Sequence, residues 1–298
     1  MDGKIGLEEH FAIPETLDDS KGFLGDAVWP ELQSRLLDIQ EKRLRLMDAH
    51  GMELMLLSLN APAVQGIPDP KRAIGIARRA NDFLAGEVAK RPQRFQGLAA
   101  LAMQDPDEAT RELRRCVEEL GFRGALVNGF SQVRDPGSMV YLDDARYRGF
   151  WAELEKLDVP FYPQVHALRL MACGVFDAHP RIQIVLGHMG EGLPYSIWRV
   201  DNRNAWTKQP PRYPAKRKLG EYFRENFHIT TSGNFRTQTL IDAILELGAD
   251  RIMFSTDWPF ENIDHAADWF DAAAIAEADR VKIGRSNALR LFKLSAAA

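Results

Sequence analysis

Short apolar runs alternate with longer stretches of helical periodicity along the chain. The runs are rich in apolar and β-branched residues, as in strands that are buried on both faces. Between them, apolar residues recur every three or four positions, as on one face of a helix. The predicted strands lie at residues 5–8, 53–58, 95–99, 124–128, 159–162, 182–187, 227–231 and 251–255.

Two of the intervening helices have clear boundaries in the sequence. One pattern covers 36–50 and ends at Gly51, and another covers 70–89 after Asp69, a suitable N-cap. Eight strands that are each followed by a helix predict an α/β fold, the (β/α)8 TIM barrel, and 278–294 predicts a C-terminal helical extension. No linker or internal repeat divides the sequence, so residues 1–298 are predicted to form one domain.

Composition narrows the class of protein. With 45% hydrophobic and 27% charged residues, the 298-residue chain can bury one large core. Its net charge of −4 leaves no polybasic surface, which argues against nucleic acid and membranes as partners. There is no run of 18 or more apolar residues and no signal-peptide pattern, so we expect a cytoplasmic protein. Two cysteines are too few for a disulfide framework.

Polar residues that end the apolar runs are the candidates for chemistry, because active sites of such barrels lie at the C-terminal ends of the strands. Glu8 and His10 are two positions apart on the first strand, so their side chains project from one face. Asp257 follows the eighth run, which neighbours the first strand in a closed barrel. A carboxylate, an imidazole and a second carboxylate predict a site for one divalent metal ion. A charged surface turn is the alternative interpretation for the first pair.

A second candidate pair follows the sixth run. Glu191 comes three residues after His188 and could hydrogen-bond its second ring nitrogen, which would fix the tautomer and raise the basicity of the imidazole. The alternative is a plain turn at Gly187 and Gly190, with His188 bonded to the backbone. Structural positions are predicted for the other histidines that end no strand, which are His50, His179, His228 and His265.

Six motifs in the chain carry a resemblance to a known family. They are GLEEHFAIP around His10, LNAPAV around Asn60, GALVNGF around Asn128, GHMGEGLP around His188, TTSGNF from Thr230, and FSTDWPF around Asp257. In this order they resemble the metal-dependent decarboxylases of the amidohydrolase superfamily, most closely those that act on 2,6-dihydroxybenzoate (γ-resorcylate).

The resemblance implies a site and a reaction. One Mn²⁺ or Zn²⁺ per chain would be held at Glu8, His10 and Asp257, with no organic cofactor. The reaction implied is the reversible, non-oxidative decarboxylation of a hydroxybenzoate, such as 2,6-dihydroxybenzoate to resorcinol and CO₂, with Asp257 as the proton donor. The supporting catalytic dyad would be His188 and Glu191, and the residues that line or support the substrate pocket would be Phe23, Asn128, Arg199 and Phe260.

The end of the fifth strand departs from the family. There the family has Tyr-Leu-His-Pro-Arg, whose histidine is a further metal ligand, whereas this chain reads FYPQVHALRLM from Phe161. A segment of roughly thirty residues is therefore expected to be absent, which leaves a crossover near the minimum length. Pro163 and the spacing of the following apolar residues predict a helix that begins in 163–166 and includes His166. The alternative is that His166 replaces the missing ligand.

Two other functions remain open at this stage. A metal-dependent hydrolase could use the same barrel, with Asp257 as the base for a metal-bound water. The short segment could also have inactivated the barrel. The resemblance further implies a homodimer or homotetramer, and the aromatic residues Trp198, Trp206, Tyr213 and Trp269 are candidates for subunit contacts.

Overall fold

All eight predicted strands are present in the structure, a computed structural model that describes residues 1–23, 25–134, 137–163, 166–206 and 213–295. A short antiparallel hairpin, Ser131–Gln132 with Met139–Val140, follows the fourth of them. The eight strands are β1 (Lys4–Phe11), β2 (Met52–Leu59), β3 (Phe95–Gly97), β4 (Ala125–Leu126), β5 (Phe161–Tyr162), β6 (Ile184–Leu186), β7 (Phe227–Thr230) and β8 (Ile252–Met253).

Helices fill the intervals between the strands. Two of them begin at aspartate N-caps, where Asp69 accepts the Arg72 N–H and Asp105 accepts the N–H groups of Asp107 and Glu108. The helices are α1 (Trp29–Leu37), α2 (Lys42–Ala49), α3 (Pro70–Lys90), α4 (Pro106–Glu118), α5 (Arg148–Leu157), α6 (Ala167–Ala172), α7 (Val175–Ala178), α8 (His188–Glu191), α9 (Leu193–Trp206), α10 (Leu219–Asn226), α11 (Thr237–Leu247), α12 (Ile263–Ala272), α13 (Glu277–Val281) and α14 (Asn287–Leu291).

The prediction of one helix over 36–50 is wrong, because α1 and α2 are separate. Asp38 ends α1 with extended backbone. Its carboxylate then accepts the N–H groups of Glu41 (3.1 Å) and Arg43 (2.8 Å), so the break is stabilised by a local cap. The predicted helix over 70–89 is confirmed as α3.

The strands are parallel and lie in chain order. β1, β2 and β3 form one sheet, and β4 to β8 form another in the order β8-β7-β6-β5-β4. A parallel bridge between Ala99 and Ala125 links the two sheets next to β3 and β4. No ladder joins β8 to β1 among the residues that the structure describes. Hydrogen bonds connect these two edges instead, for example from the His10 N–H to the Trp258 carbonyl (2.6 Å).

Alternate residues of the strands pack into two different cores. Along β2, Leu54 and Leu56 belong to an inner cluster, while Met55 and Leu57 pack with the surrounding helices. Phe292, after α14, joins the inner cluster. The remaining buried members of that cluster come from β1, β4, β5, β6, β8 and α14, and from the residue that follows β3: Ile5, Leu7, Leu98, Leu126, Tyr162, Val185, Met253 and Ala288. None of the described helices is long and apolar enough to cross a membrane.

Candidate metal centre

Glu8 and His10 lie in the second half of β1, where its pairing with β2 is irregular. Between Gly6 and Glu9 the strand has one residue more than β2 has opposite it, as in a β-bulge. Residues before the bulge contribute to the inner core, and the side chains of Glu8 and His10 reach the open end of the strands. Both are buried, with 0% and 2% of their surface exposed.

Asp257 reaches the same point from the segment after β8. Its backbone has φ +66°, in the left-handed region, which aspartate tolerates better than most residues. Its Oδ1 lies 3.4 Å from Nε2 of His10. Possible ligand atoms of Glu8, His10 and Asp257 all lie within 4.8 Å of one another. The structure thus brings the three predicted metal ligands together.

One oxygen of Glu8 is held by neighbours and the other is not. The Tyr162 hydroxyl donates a hydrogen bond to Glu8 Oε2, and Thr230 Oγ1 donates to the same oxygen over 3.3 Å. A side chain at Gly187 would collide with this arrangement, since its Cβ would lie 2.6 Å from Oε2. Glu8 Oε1 is buried and has no hydrogen-bond partner among the residues that the structure describes. Sequence analysis missed Tyr162 and Thr230, although Tyr162 ends one predicted strand and Thr230 lies next to the end of another.

His10 is oriented by hydrogen bonding at its other ring nitrogen. Ser58 Oγ lies 3.1 Å from Nδ1, which leaves Nε2 directed towards Asp257. Burial by itself lowers the pKa of His10, but the adjacent Asp257 carboxylate, with Glu8 and Glu9, outweighs burial and raises that pKa. The imidazole of His10 lies next to carboxylate oxygens and can bind the same cation as they do.

His188 faces the same three residues from α8. Its Nδ1 lies 3.0 Å from the Ser232 carbonyl, which can only accept a hydrogen bond, so Nδ1 carries the proton. Its Nε2 lies 3.7 Å from Glu8 Oε1 and 3.9 Å from Glu191 Oε1. The prediction that Glu191 bonds the second ring nitrogen is therefore wrong, because a backbone carbonyl takes that role and the Glu191 oxygen is beyond hydrogen-bond distance.

Burial and neighbouring charges shift the pKa values of both His188 and Glu191. Burial lowers the pKa of His188, but the negative charges of Glu8, Asp257 and Glu191 outweigh burial and raise it. Burial also raises the pKa of Glu191, although the neighbouring imidazole opposes that rise. The raised pKa favours the protonated form of His188, which can receive an anion at the open side of the site.

A cavity of about 290 Å³ opens beside His10 and Asp257, two of the three predicted ligands. Phe23 and Phe260 form one wall with their ring centroids 6.0 Å apart, and Phe260 also stands edge-on to His10 at 5.4 Å. The size and the aromatic wall suit a single substituted benzene ring. Lining residues are His10, Phe23, Ala61, His188, Asp257, Phe260 and Glu261.

The other two predicted pocket residues lie differently. Asn128 Nδ2 donates to the Asn60 carbonyl (2.9 Å), and its backbone N–H donates to Gln65, so it braces the loops after β2 and β4. Arg199 is exposed on α9. Neither residue lines the cavity in the described part of this chain.

His166 belongs to an aromatic cluster and not to the group of three predicted ligands. Its ring stacks on Phe130 at 5.8 Å and meets Tyr141 edge-on at 4.9 Å. It is the N-cap of α6 with φ +78°, so the helix begins directly after it at Ala167, and the prediction that the helix includes His166 is wrong. Gln164 and Val165, in the same predicted region, lie outside the described residues.

The donor set fits a divalent metal ion. Two carboxylates and one imidazole are ligands that Mn²⁺ and Zn²⁺ accept. Glu8 Oε1 is an orphaned buried acceptor at the centre of the group, and an unpaired carboxylate oxygen in a buried site is costly without a cation. The bonds to Glu8 Oε2 and His10 Nδ1 orient these ligands without using their free atoms.

Comparisons with known proteins agree with this geometry. The sequence model of the amidohydrolase family matches residues 28–294. A γ-resorcylate decarboxylase of Rhizobium sp. (strain MTP-10005) is 67% identical over 327 aligned positions that span 100% of both chains. Because this chain has 298 residues, the alignment contains about 29 positions at which the relative has a residue and this chain has none.

Two crystal structures of decarboxylases are also similar. A 2,6-dihydroxybenzoate decarboxylase in complex with 2,6-dihydroxybenzoate has 66% identity and a TM-score of 0.97, over 99% of this chain and 100% of that one. A dihydroxybenzoic acid decarboxylase from Polaromonas sp. JS666, with manganese and the inhibitor 2-nitroresorcinol, has 61% identity and a TM-score of 0.97, over 100% and 98%.

Proposed function

The chain belongs to the amidohydrolase family, and on that basis we propose that it is a metal-dependent decarboxylase of a hydroxybenzoate. The substrate we propose is 2,6-dihydroxybenzoate, which yields resorcinol and CO₂ in a reversible, non-oxidative reaction. The observation that carries the proposal is the group of Glu8, His10 and Asp257 beside a cavity with a phenylalanine wall. The similarity to decarboxylases that act on this acid supports the choice of substrate.

Glu8, His10 and Asp257 would hold one Mn²⁺ or Zn²⁺. The ion would supply a positive charge that attracts the anionic oxygens of the substrate and withdraws electron density from them. Neither an organic cofactor nor nucleic acid or a membrane forms part of the proposal. A Lewis acid and a proton donor suffice for this reaction, because a hydroxylated ring can accept a proton at the carbon that loses CO₂.

Asp257 is the proposed proton donor. Its carboxyl group lines the cavity, and it transfers its proton to the ring carbon that bears the carboxylate. The bond from that carbon to the carboxylate then breaks, its electron pair restores the aromatic ring, and CO₂ leaves. Phe23 and Phe260 pack against the ring and exclude water from its face.

His188 and Glu191 form the proposed supporting dyad. With Nδ1 fixed by the Ser232 carbonyl, His188 presents Nε2 to the space next to Glu8, where it can bind the anionic part of the substrate. Glu191 adds negative charge that favours the imidazolium. We also propose that Asn128 and Arg199 support the substrate pocket, as predicted.

We further propose that the alignment gap lies between β5 and α6, where four residues separate the two elements. In the family that region provides a further histidine ligand. The described residues near this point offer His166, which packs on Phe130 and Tyr141. Loss of that ligand weakens metal binding and lowers the rate relative to longer family members, since even the loss of a residue behind a ligand costs roughly 10 to 100-fold.

The remaining proposals concern the molecule as a whole. Hydrogen bonds between the β1 and β8 edges support a closed (β/α)8 barrel, and α13 and α14 are its proposed C-terminal helical extension. One domain over 1–298, a homodimer or homotetramer and a cytoplasmic location complete the proposal.

A paired assay tests the proposed reaction. The chain is stripped with a chelator, reloaded with Mn²⁺ or Zn²⁺, and supplied with 2,6-dihydroxybenzoate while resorcinol is measured. We expect resorcinol only after reloading. The same preparation is tested on lactones and amides, because hydrolysis of these without decarboxylation would identify a metal-dependent hydrolase instead. A loaded chain that releases no resorcinol and hydrolyses nothing would indicate a barrel inactivated by the gap.

A further inference from the structure

Glu9 is a fully buried carboxylate beside the metal centre that the proposed reaction does not use. Its Oε1 accepts hydrogen bonds from the Thr256 N–H (2.9 Å) and from Ser255 Oγ (3.2 Å). Its Oε2 accepts from Thr256 Oγ1 (2.6 Å) and from the Trp258 N–H (3.2 Å). All four partners are donors, so the group serves as an acceptor with both oxygens.

These bonds fix the backbone on both sides of Asp257. Thr256 and Trp258 are its immediate neighbours, and Asp257 itself has a left-handed backbone with φ +66°. A left-handed conformation costs free energy for a residue other than glycine and persists only where its surroundings hold it. The Glu9 carboxylate accepts the N–H groups of the residues before and after Asp257, and these bonds stabilise that conformation.

The same carboxylate also connects to the other two predicted ligands. Ser255 Oγ, which donates to Glu9, accepts the backbone N–H of Glu8 over 2.7 Å. His10, the next residue along β1, donates its N–H to the Trp258 carbonyl over 2.6 Å. No ladder joins β1 to β8 in the described part of the chain, so these contacts determine how the two edges meet.

Two further features support the placement of this side chain. A Cβ at Gly6 would collide with Glu9 Oε1 and lie 3.0 Å from Cδ, so glycine at that position leaves the space that the carboxylate fills. The buried Arg43 donates to the His10 carbonyl (2.5 Å), and its positive charge opposes burial, which raises the pKa of Glu9 to about 7. A buried carboxylate needs such compensation.

We propose that Glu9 is a positioning residue of the metal centre, which acts through Asp257 by fixing the backbone of Thr256 and Trp258. It does not touch the metal or the substrate. This inference rests on the proposed metal site, and it deepens that proposal by stating what holds the ligand from β8 in register with the two ligands from β1.

Glu9→Gln tests the proposal with the shape of the side chain retained. The amide provides only one acceptor oxygen, so either the Thr256 N–H or the Trp258 N–H faces an amide nitrogen instead. The expected result is a 10 to 100-fold loss of Mn²⁺ affinity, measured by titration of the chelator-stripped chain with Mn²⁺ and detection of free Mn²⁺ by electron paramagnetic resonance. Gly6→Ala should weaken Mn²⁺ binding in the same direction.

Glu112→Gln is the matched control. Glu112 is also a buried glutamate, but it lies on α4 and binds Asn81 and Arg115. We expect this variant to unfold at a lower temperature and to bind Mn²⁺ with wild-type affinity. Wild-type Mn²⁺ affinity in folded Glu9→Gln, together with a lower unfolding temperature, would overturn the proposal, because Glu9 would then be only structural.

Thr256→Val keeps the test decisive if Glu9→Gln does not fold. It removes one donor to Glu9 Oε2 and leaves both backbone donors, so we expect a smaller but measurable loss of Mn²⁺ affinity. Unchanged affinity in this variant would overturn the proposal as well. A wild-type chain that binds no Mn²⁺ would contradict the metal site itself, and the inference about Glu9 would fall with it.

Discussion

Asp257 has two roles in the proposed mechanism, as a metal ligand and as the proton donor. Its Oδ1 lies 3.4 Å from His10 Nε2, and its side chain lines the cavity where the ring would lie. Asp257→Asn keeps the size of the side chain but removes the transferable proton. We expect this variant to release no resorcinol even where its metal content, measured by elemental analysis, is retained. A rate close to that of the wild type would exclude the role of proton donor.

His188 has a different task at the same residue scale. It is 36% exposed at the mouth of the site and binds or orients the substrate anion. We expect His188→Ala to lower kcat/KM by about 10² to 10⁴-fold, as for a positioned acid–base partner, with metal content unchanged. Steady-state kinetics and elemental analysis on the same preparation measure both quantities. Loss of the metal from this variant would mean instead that His188 is a ligand.

The sequence predicts the ligands at the residue scale better than their supports. Glu8, His10 and Asp257 follow from one rule, since each follows or ends an apolar run and parallel strands bring such positions together. For His188 the sequence left a backbone partner open as the alternative to Glu191, and the structure confirms it, but the sequence could not identify that partner as the Ser232 carbonyl after β7. Backbone acceptors have no signature in a sequence.

At the scale of elements, a buried histidine in β7 lies between the residues that directly precede β6 and β8, at the end opposite the metal centre. His228 in β7 accepts a hydrogen bond at Nε2 from Arg251 (2.9 Å), which also donates to Gln183 (2.9 Å). Burial, with the charges of Arg251 and Arg290, lowers the pKa of His228 to about 3. The folded protein therefore keeps this imidazole neutral where the unfolded chain binds a proton.

This depressed pKa predicts a loss of stability in acid. The stabilisation is complete above the unfolded pKa of about 6.5 and decreases as the pH falls towards 3. At pH 5 the cost of leaving His228 neutral is about 2 kcal/mol. We expect the free energy of unfolding of His228→Gln, measured with urea between pH 7 and pH 5, to fall less than that of the wild type. Parallel curves for the two proteins would contradict this prediction.

The apolar periodicity of the sequence predicts some strands and helices correctly and misses the end of one helix. The strands and α3 follow from their apolar patterns because packing repeats along them. The break between α1 and α2 depends on a single aspartate, Asp38, whose carboxylate caps the second helix from outside it. A helical apolar pattern continues across such a break, so the sequence predicts one helix.

At the scale of the whole molecule, exposed aromatic residues on α9 predict self-association. Tyr195 and Trp198 are 85% and 67% exposed, and Trp206 at the end of the helix is 73% exposed. Trp269 and Tyr213, the other two predicted contact residues, are partly buried, and Trp269 packs against Phe235 and donates to Thr237. Their part in subunit contacts stays a prediction.

Light scattering tests this association. We expect a mass of two or four chains at micromolar concentration, and a lower mass for Trp198→Glu because a buried charge in an interface core is costly. Leu37→Glu on α1, where the leucine is 48% exposed, is the matched control and should leave the mass unchanged. A monomeric wild-type chain would contradict the prediction.

The central claim is that Glu8, His10 and Asp257 together hold one divalent metal ion. Elemental analysis of the purified chain, with intact mass confirmed for 298 residues, measures this most directly when the wild type is compared with His10→Ala. The account predicts close to one Mn²⁺ or Zn²⁺ per wild-type chain after loading and far less in the variant. Far less than one ion per loaded wild-type chain, or equal metal content in the two proteins, would contradict it.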